Sequence, residues 1–257
     1  MNRYFRPLAV ALVVLAAAVP TVDRALAQLF SPDQRGEIEK IIRDYLMRNP
    51  EILQDVIQEM EKRQAQADAE KHREAIKQNA EAIFNSKRQV VLGNPQGDVT
   101  MVEFFDYNCG FCKKALADKI ELMKADKKLR VVLKEFPVLG EGSVETARVA
   151  VAARMQDATG KKYLDFHQRL LANRGAVGRA QAVAAAKEAG FDMSRLEKDM
   201  ASGEPKATIE ESFKLADALG LSGTPSYVIG NQVVVGAVGL ATLQEKINTA
   251  RCGKATC

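Results

Sequence analysis

The sequence predicts an α/β protein built on a parallel strand pair, with a long helical insertion and a closing hairpin. Three observations lead there. Val99–Phe105 is a near-continuous apolar run, a helical pattern follows from about Gly110 to Ala125, and Leu129–Phe136 is apolar again. Strand, helix and strand in that order form a βαβ unit, whose strands lie parallel. Ser143 to Gly220 carries helical signals throughout. Ser226–Ile229 and Gln232–Val235 flank Gly230-Asn231, the turn chemistry of a hairpin.

The elements follow in chain order. Arg3 and Arg6, the apolar run Leu8–Val19, Pro20 and Ala25-Leu26-Ala27 read as a signal peptide over residues 1–27. The run is too short to cross a bilayer core of about 30 Å. Cleavage places the mature chain, Gln28–Cys257, outside the cytosol, where disulfides persist. Ser31-Pro32-Asp33-Gln34 is a helix start with a capping box. Ile38, Ile41, Ile42, Tyr45 and Leu46 share a helical face; Asn49-Pro50 ends that helix and opens another, with Ile52, Leu53, Val56, Ile57 and Met60 on one side. Beyond Met60 the stripe fades into a charged, solvated arm. Residues 28–84 are therefore expected to form an N-terminal helical segment and arm, and residues 85–257 the main domain. Gln89–Leu92 reads as a short strand. Within the insertion, at about 143–220, Ser143 is expected to cap one helix, Tyr163, Phe166, Leu170 and Leu171 mark a second, and Asp192 and Pro205 open two more. A last helix runs from about Leu240 to Ala250.

Composition narrows the function. The chain is 47% hydrophobic and 27% charged, as a folded protein is, and its net charge is +4. Half of that charge lies in the first 27 residues, so nothing points to nucleic acid. Four cysteines are too few for a disulfide scaffold, and two histidines are too few for a histidine-rich metal site.

The chemistry centres on Cys109-Gly110-Phe111-Cys112, between a buried strand and a helix. In that setting two cysteines at this spacing predict a thiol–disulfide site. A helix N-terminus presents unpaired N–H groups and a positive dipole end, which stabilise a thiolate. Cys109, at the cap, is expected to be the exposed nucleophile, and Cys112, one turn in, the resolving thiol. A structural disulfide and half of a zinc site are the alternatives. Glu103 sits inside the apolar strand. It is a desolvated proton acceptor for the resolving thiol, with a raised pKa, or else it faces solvent at the strand edge or pairs with Lys134 on the neighbouring strand. Thr224-Pro225 precedes a strand; proline there has no N–H for the ladder, and a cis bond would leave neighbouring backbone free for an extended substrate.

These residues resemble a known family. Glu103-Phe104-Phe105, then Cys109-x-x-Cys112, the helical insertion and Thr224-Pro225 are similar to the DsbA-like thioredoxin-fold oxidoreductases of the bacterial periplasm, over roughly residues 88–250. The resemblance implies a thioredoxin fold with a helical insertion, a cis bond at Pro225 facing the cysteines with Thr224 before it, and Glu103 as the buried acid. It implies no cofactor. The N-terminal segment resembles that of the ScsC and Com1-like group, some of whose members are trimers and disulfide isomerases. Gly110-Phe111 departs from the Pro-His of strong oxidases and resembles the dipeptide of DsbC-type isomerases. A less oxidising pair is expected, because no histidine between the cysteines stabilises the thiolate. The expected function is a periplasmic disulfide isomerase or reductase, acting on unfolded or misoxidised exported proteins. A membrane thiol reductase of the DsbD or ScsB type would keep it reduced. A monomeric oxidase served by a DsbB-type partner is one alternative, and a copper-binding or holdase protein using its thiols as ligands is another. Cys252 and Cys257 are expected to staple the C-terminus, with a second redox pair or a copper(I) thiolate site as alternatives. The apolar stripe before Met60 predicts a homo-oligomer, dimer or trimer, or else a hairpin folded on its own domain.

Overall fold

The computed structural model describes residues 30–257; the predicted signal peptide lies outside the described residues. Five strands form one sheet in the order β1-β3-β2-β4-β5. They are β1 (Val90–Gly93), β2 (Val99–Phe105), β3 (Leu129–Glu135), β4 (Ser226–Ile229) and β5 (Gln232–Val235). The predicted parallel pair is β2 with β3, in a register that sets Glu103 opposite Leu133 and Phe104 opposite Lys134. All other pairings are antiparallel. In the β4–β5 hairpin the turn at Gly230 needs a positive φ of 59°, which costs glycine nothing.

β2 is apolar at successive positions because both its faces are covered. Met101 and Phe105, with Val131 and Leu133, face one core. Val102 and Phe104, with Val132, face the other. The first core is closed by α4 (Gly110–Ala125), by α10 (Leu240–Cys252) and by the insertion helices α5 (Glu141–Arg154), α6 (Lys161–Ala172), α7 (Arg179–Glu188) and α8 (Met193–Met200). The second is closed by α9 (Glu204–Ala218), through Leu215 and Ala216. Asp192 caps α8 as expected, accepting from the Arg195 N–H, and Pro205 lies in the first turn of α9. Ser143 does not cap α5. That helix begins at Glu141 after Gly140, and the Ser143 hydroxyl instead donates to Asp106 at 2.7 Å. Ser143 lies inside the first turn rather than ahead of it, so its oxygen is not placed to accept from the helix's free N–H groups, and its hydroxyl is left to donate to the buried carboxylate.

The chain divides into two units, residues 1–62 and 63–257. In the first, α1 (Pro32–Arg48) opens on the predicted capping box: Ser31 Oγ accepts from the Gln34 N–H, and Gln34 Oε1 accepts from the Ser31 N–H. α1 buries no residue. Ile41, Ile42, Tyr45 and Met47 are exposed, as are Leu53, Val56, Ile57 and Met60 at the start of α2 (Glu51–Gln78). The second unit takes in chain upstream of residue 85, because Ile76 of α2 and Ile83 of α3 (Ala80–Phe84) are buried in its second core. No described helix is long and apolar enough to cross a membrane.

Candidate active site

The parallel crossover from β2 to β3 sets the site. β2 ends at Phe105, a short loop turns the chain, and α4 begins at Gly110 with Cys109 as its N-cap. The loop is held by Asp106, 1% exposed, which accepts from the backbone N–H groups of Asn108, Val138 and Leu139 and from Ser143. Asn108 ties the same loop to the insertion, accepting from the Val177 N–H at 2.7 Å and donating to Ser143 and to the Val177 carbonyl. The first turn of α4 has no acidic residue, so its positive end faces Cys109 uncompensated.

Cys109 and Cys112 are both unbridged. Cys109 is 6% exposed, against the expectation of an open nucleophile. The cause lies far along the chain: its Sγ–H donates to the Thr224 carbonyl at 3.2 Å. The Thr224–Pro225 bond is cis, and Pro225 is buried while Thr224 is half-buried. Phe111, by contrast, is 61% exposed, with the Lys114 ammonium 5.5 Å above its ring. A Cβ at Gly110 would meet nothing within 4 Å, so packing does not demand glycine there; its small size leaves the approach to Cys109 open. Cys112 is fully buried. Burial first, and then the charge of Glu103, push its thiol far above the ordinary range. A thiol in that position needs a proton acceptor beside it before it can react.

Glu103 is buried, and its partner is Lys119, not Lys134. Lys119 Nζ donates to Glu103 Oε2 at 2.5 Å, and both side chains are almost wholly buried. The alternative with Lys134 fails on register. Lys134 stands opposite Phe104, so its side chain leaves the other face of the sheet, where it donates to the Ala82 carbonyl and pairs with Glu211. Glu103 Oε1 has no hydrogen-bond partner among the described residues. Lys119 belongs to no motif in the sequence. A signal was there: the buried residues of α4 are Cys112, Ala115, Lys119 and Leu122, an apolar helical stripe interrupted by one ammonium. His167 is a second buried residue of the site outside any sequence motif. It is fully buried, with Nε2 3.0 Å from Lys119 Nζ and Nδ1 3.2 Å from the Tyr107 hydroxyl. Burial, then the Lys119 charge, hold its pKa well below the usual range, so the ring is neutral. No local pattern marks it.

The structure therefore gathers Glu103, Cys109, Gly110, Phe111, Cys112, Thr224 and Pro225 at one end of the sheet. Cys252 and Cys257 lie apart from them. They are bonded to each other at the exposed end of α10, with Cα atoms 6.3 Å apart. Next to them Arg251 bridges Asp98 and Asp126, fastening the end of α10 to the start of β2 and the end of α4.

The family described as DSBA-like thioredoxin domain matches residues 100–248, more than half of the chain. The family described as Copper resistance protein ScsC N-terminal domain matches residues 34–67. A thioredoxin-like oxidoreductase from Silicibacter pomeroyi DSS-3 is similar at 43% identity and a TM-score of 0.63, over 67% of this chain and 98% of that one. BcfH of Salmonella enterica Typhimurium shares the fold, at 24% identity and a TM-score of 0.72 over 90% of this chain and 100% of that one. Among curated proteins, the Na(+)/H(+) antiporter NhaA 1 of Salinispora arenicola is 26% identical over 168 residues, 65% of this chain; the chain spans only 25% of that relative's length.

Proposed function

The chain belongs to the family of DSBA-like thioredoxin domains, and from that premise we propose that it is a thiol–disulfide oxidoreductase of exported proteins, acting as an isomerase or reductase. One observation carries the reading: two unbridged cysteines share the first turn of α4, and the Thr224 carbonyl lies against the first of them. The Cys109 thiolate, stabilised by the helix N-terminus, attacks a substrate disulfide; one substrate sulfur bonds to Cys109 and the other leaves as a thiol. Backbone beside the cis bond at Pro225 is then available to an extended substrate chain. Cys112 gives its proton to Glu103, attacks Cys109 Sγ, closes the internal disulfide and releases the second substrate thiol. An isomerase cycle ends earlier, when another substrate thiol displaces Cys109.

Gly110-Phe111 favours the isomerase side. No imidazole stands between the cysteines to stabilise the thiolate, and the exposed Phe111 ring offers apolar contact to an unfolded chain. The predicted signal peptide supports a periplasmic location, and a membrane thiol reductase of the DsbD or ScsB type is the implied electron donor. The apolar residues that α1 and the start of α2 leave exposed support a homo-oligomer joined through the N-terminal segment. The test is reactivation of scrambled, misbridged ribonuclease by residues 28–257. Recovery of activity supports the isomerase. Failure to reactivate, with rapid oxidation of reduced unfolded clients, favours a DsbA-like oxidase served by a DsbB-type partner.

The match to the ScsC N-terminal domain favours a second reading, copper handling. Cys109 and Cys112 would offer two soft thiolates, which suit copper(I). Among the described residues no group of three or more Cys, His, Asp or Glu side chains is placed to hold a metal. Titration of the reduced protein with copper(I) against a competing chelator decides it; affinity no greater than that of a short dithiol peptide removes the reading.

A further inference from the structure

The reaction above leaves a question of proton traffic. Glu103 can take one proton from Cys112, yet Glu103 and Lys119 are sealed from solvent, each side chain at most 2% exposed. Behind them runs a continuous line of buried polar groups. Lys119 Nζ is 3.0 Å from His167 Nε2, His167 Nδ1 is 3.2 Å from the Tyr107 hydroxyl, Tyr107 is 3.1 Å from the Tyr163 hydroxyl, and Tyr163 donates to Glu135 Oε1 at 2.6 Å. Tyr107, Tyr163 and His167 are each at most 1% exposed.

With Glu135 ionised, the hydrogens in this line have one consistent arrangement. Tyr163 spends its proton on Glu135, so it accepts from Tyr107. Tyr107 then accepts from His167 Nδ1–H, and a neutral ring with its proton on Nδ1 accepts at Nε2 from the Lys119 ammonium. Every donor points the same way, from the active site toward Glu135. Glu135 is 6% exposed at the far end and borders a small cavity shared with the exposed Arg88 and with Gln89 and Arg154.

We propose that His167, Tyr107, Tyr163 and Glu135 form a proton relay that drains the active-site pair Glu103–Lys119 when Cys112 reacts. The inference rests on the reading of Cys112 as the resolving thiol. In one passage Cys112 Sγ–H gives its proton to Glu103, which gives one to Lys119 as Lys119 gives one to His167 Nε2. His167 gives its Nδ1 proton to Tyr107, Tyr107 gives its own to Tyr163, and Tyr163 gives its own to Glu135. Cys112 ends one proton poorer and Glu135 one richer; every group between keeps its count. The freed electron pair on Cys112 makes the new S–S bond, and the substrate thiolate leaves with the pair from the broken one. These four residues touch no substrate; they are positioning groups that act through Glu103. Burial pushes Glu135 up to about 8, with Asp106, Tyr107, Tyr163 and Arg154 the groups that face it, so it takes up and releases a proton near neutrality.

The test separates the two thiol steps with the aromatic disulfide 5,5′-dithiobis(2-nitrobenzoate) and the full reduced chain. Attack by Cys109 releases the first coloured thiolate and needs no proton from Cys112. Attack by Cys112 on the mixed disulfide releases the second. Tyr107→Phe cuts the line at its midpoint. Glu135→Gln keeps an oxygen to accept from Tyr163 but cannot take a proton. Both variants are expected to slow the second release about a hundredfold, the low end of what a lost acid–base group costs, with the first release unaltered. The wild-type second rate is expected to climb as pH passes about 8, where Glu135 becomes free to accept, and Glu135→Gln is expected to lose that climb. A second release within about twofold of wild type in both variants at every pH, against that cost, overturns the relay. So does slowing confined to Tyr107→Phe, since loss of a buried hydroxyl alone can produce it. Cys112→Ser is the separate control: a second release that persists without Cys112 overturns the resolving-thiol reading itself.

Discussion

The two cysteine pairs stand at opposite ends of helices, and they are in opposite states. Cys109 and Cys112 open α4, are buried and unbridged; Cys252 and Cys257 close α10, are exposed and bonded. Helix polarity accounts for much of the contrast. A thiolate at an N-terminus meets unpaired N–H groups and a positive dipole end, while one at a C-terminus meets carbonyl oxygens. The first end therefore stabilises the charged, reactive form, and the second favours the neutral disulfide. Surroundings add to it. Beneath the first pair lie a buried ion pair and a neutral histidine. Beside the second lie backbone carbonyls and the surface bridge of Arg251 with Asp98 and Asp126. The same side chain becomes a reagent in one place and a clasp in the other, because of the helix end it occupies and the groups packed under it.

Four experiments break or sharpen that contrast. The largest effect belongs to the first pair. Cys109→Ser is expected to bring disulfide turnover to background in an insulin-reduction assay, whereas Cys257→Ser is expected to stay within about twofold of wild type, as for a substitution remote from the chemistry. Comparable losses in both would erase the distinction.

Second, Glu103→Ala leaves the Lys119 ammonium buried without its carboxylate. Breaking such a pair costs about 3–5 kcal/mol. The expected readout is a lowered urea midpoint at unchanged slope. A loss below about 1 kcal/mol would show that water reaches Lys119 and relieves it.

Third, replacing Cys252 and Cys257 together by serine opens a bridge between residues only five apart. Loop-closure entropy for so short a loop limits the cost to about 2 kcal/mol. Thermal unfolding measures it, and a larger loss would mean that the clasp carries part of the α10 packing.

The smallest effect is a pH dependence. His167 has a folded pKa held well below its ordinary 6.5. The unfolded chain takes up that proton and the folded one refuses it, so the stability at stake is full above pH 6.5 and is lost as pH falls below it. The slope is at most about 1.4 kcal/mol per pH unit. Glu135 opposes it: its folded pKa of about 8 lies above its ordinary 4.5, so its contribution is lost as pH rises toward 8. Comparing wild type with His167→Gln by urea unfolding isolates the histidine. The gap in stability is expected to narrow as pH drops below about 6.5, and a constant gap would mean that the ring is charged in the folded protein.

Much of this was legible in the sequence. β2, the start and end of α4 and both hairpin strands fall where apolar runs, spacing and turn residues put them, since each reflects contacts between near neighbours in the chain. The cysteine spacing on a strand-to-helix turn marked the site, and the capping box at Ser31 was readable residue by residue. Reasoning from sequence went wrong where a partner lay elsewhere. Ser143 has the composition of a cap, but Asp106, 37 residues away, claims its hydroxyl.

What the sequence determined by itself is the βαβ frame, the paired thiols at a helix start and the acid set within a buried strand. What only the tertiary structure decided is the company those groups keep. Lys119 became the partner of Glu103 because α4 crosses back over the strand that carries it, and Lys134 was excluded because its place in the register turns it to the opposite face. Thr224 closes over Cys109 from 115 residues away, and His167 reaches Lys119 from 48. Periodicity records which face of an element is buried; it does not record what is buried against it. Once such polar groups are sealed from water each must find a partner, and only the packed fold determines which one is within reach.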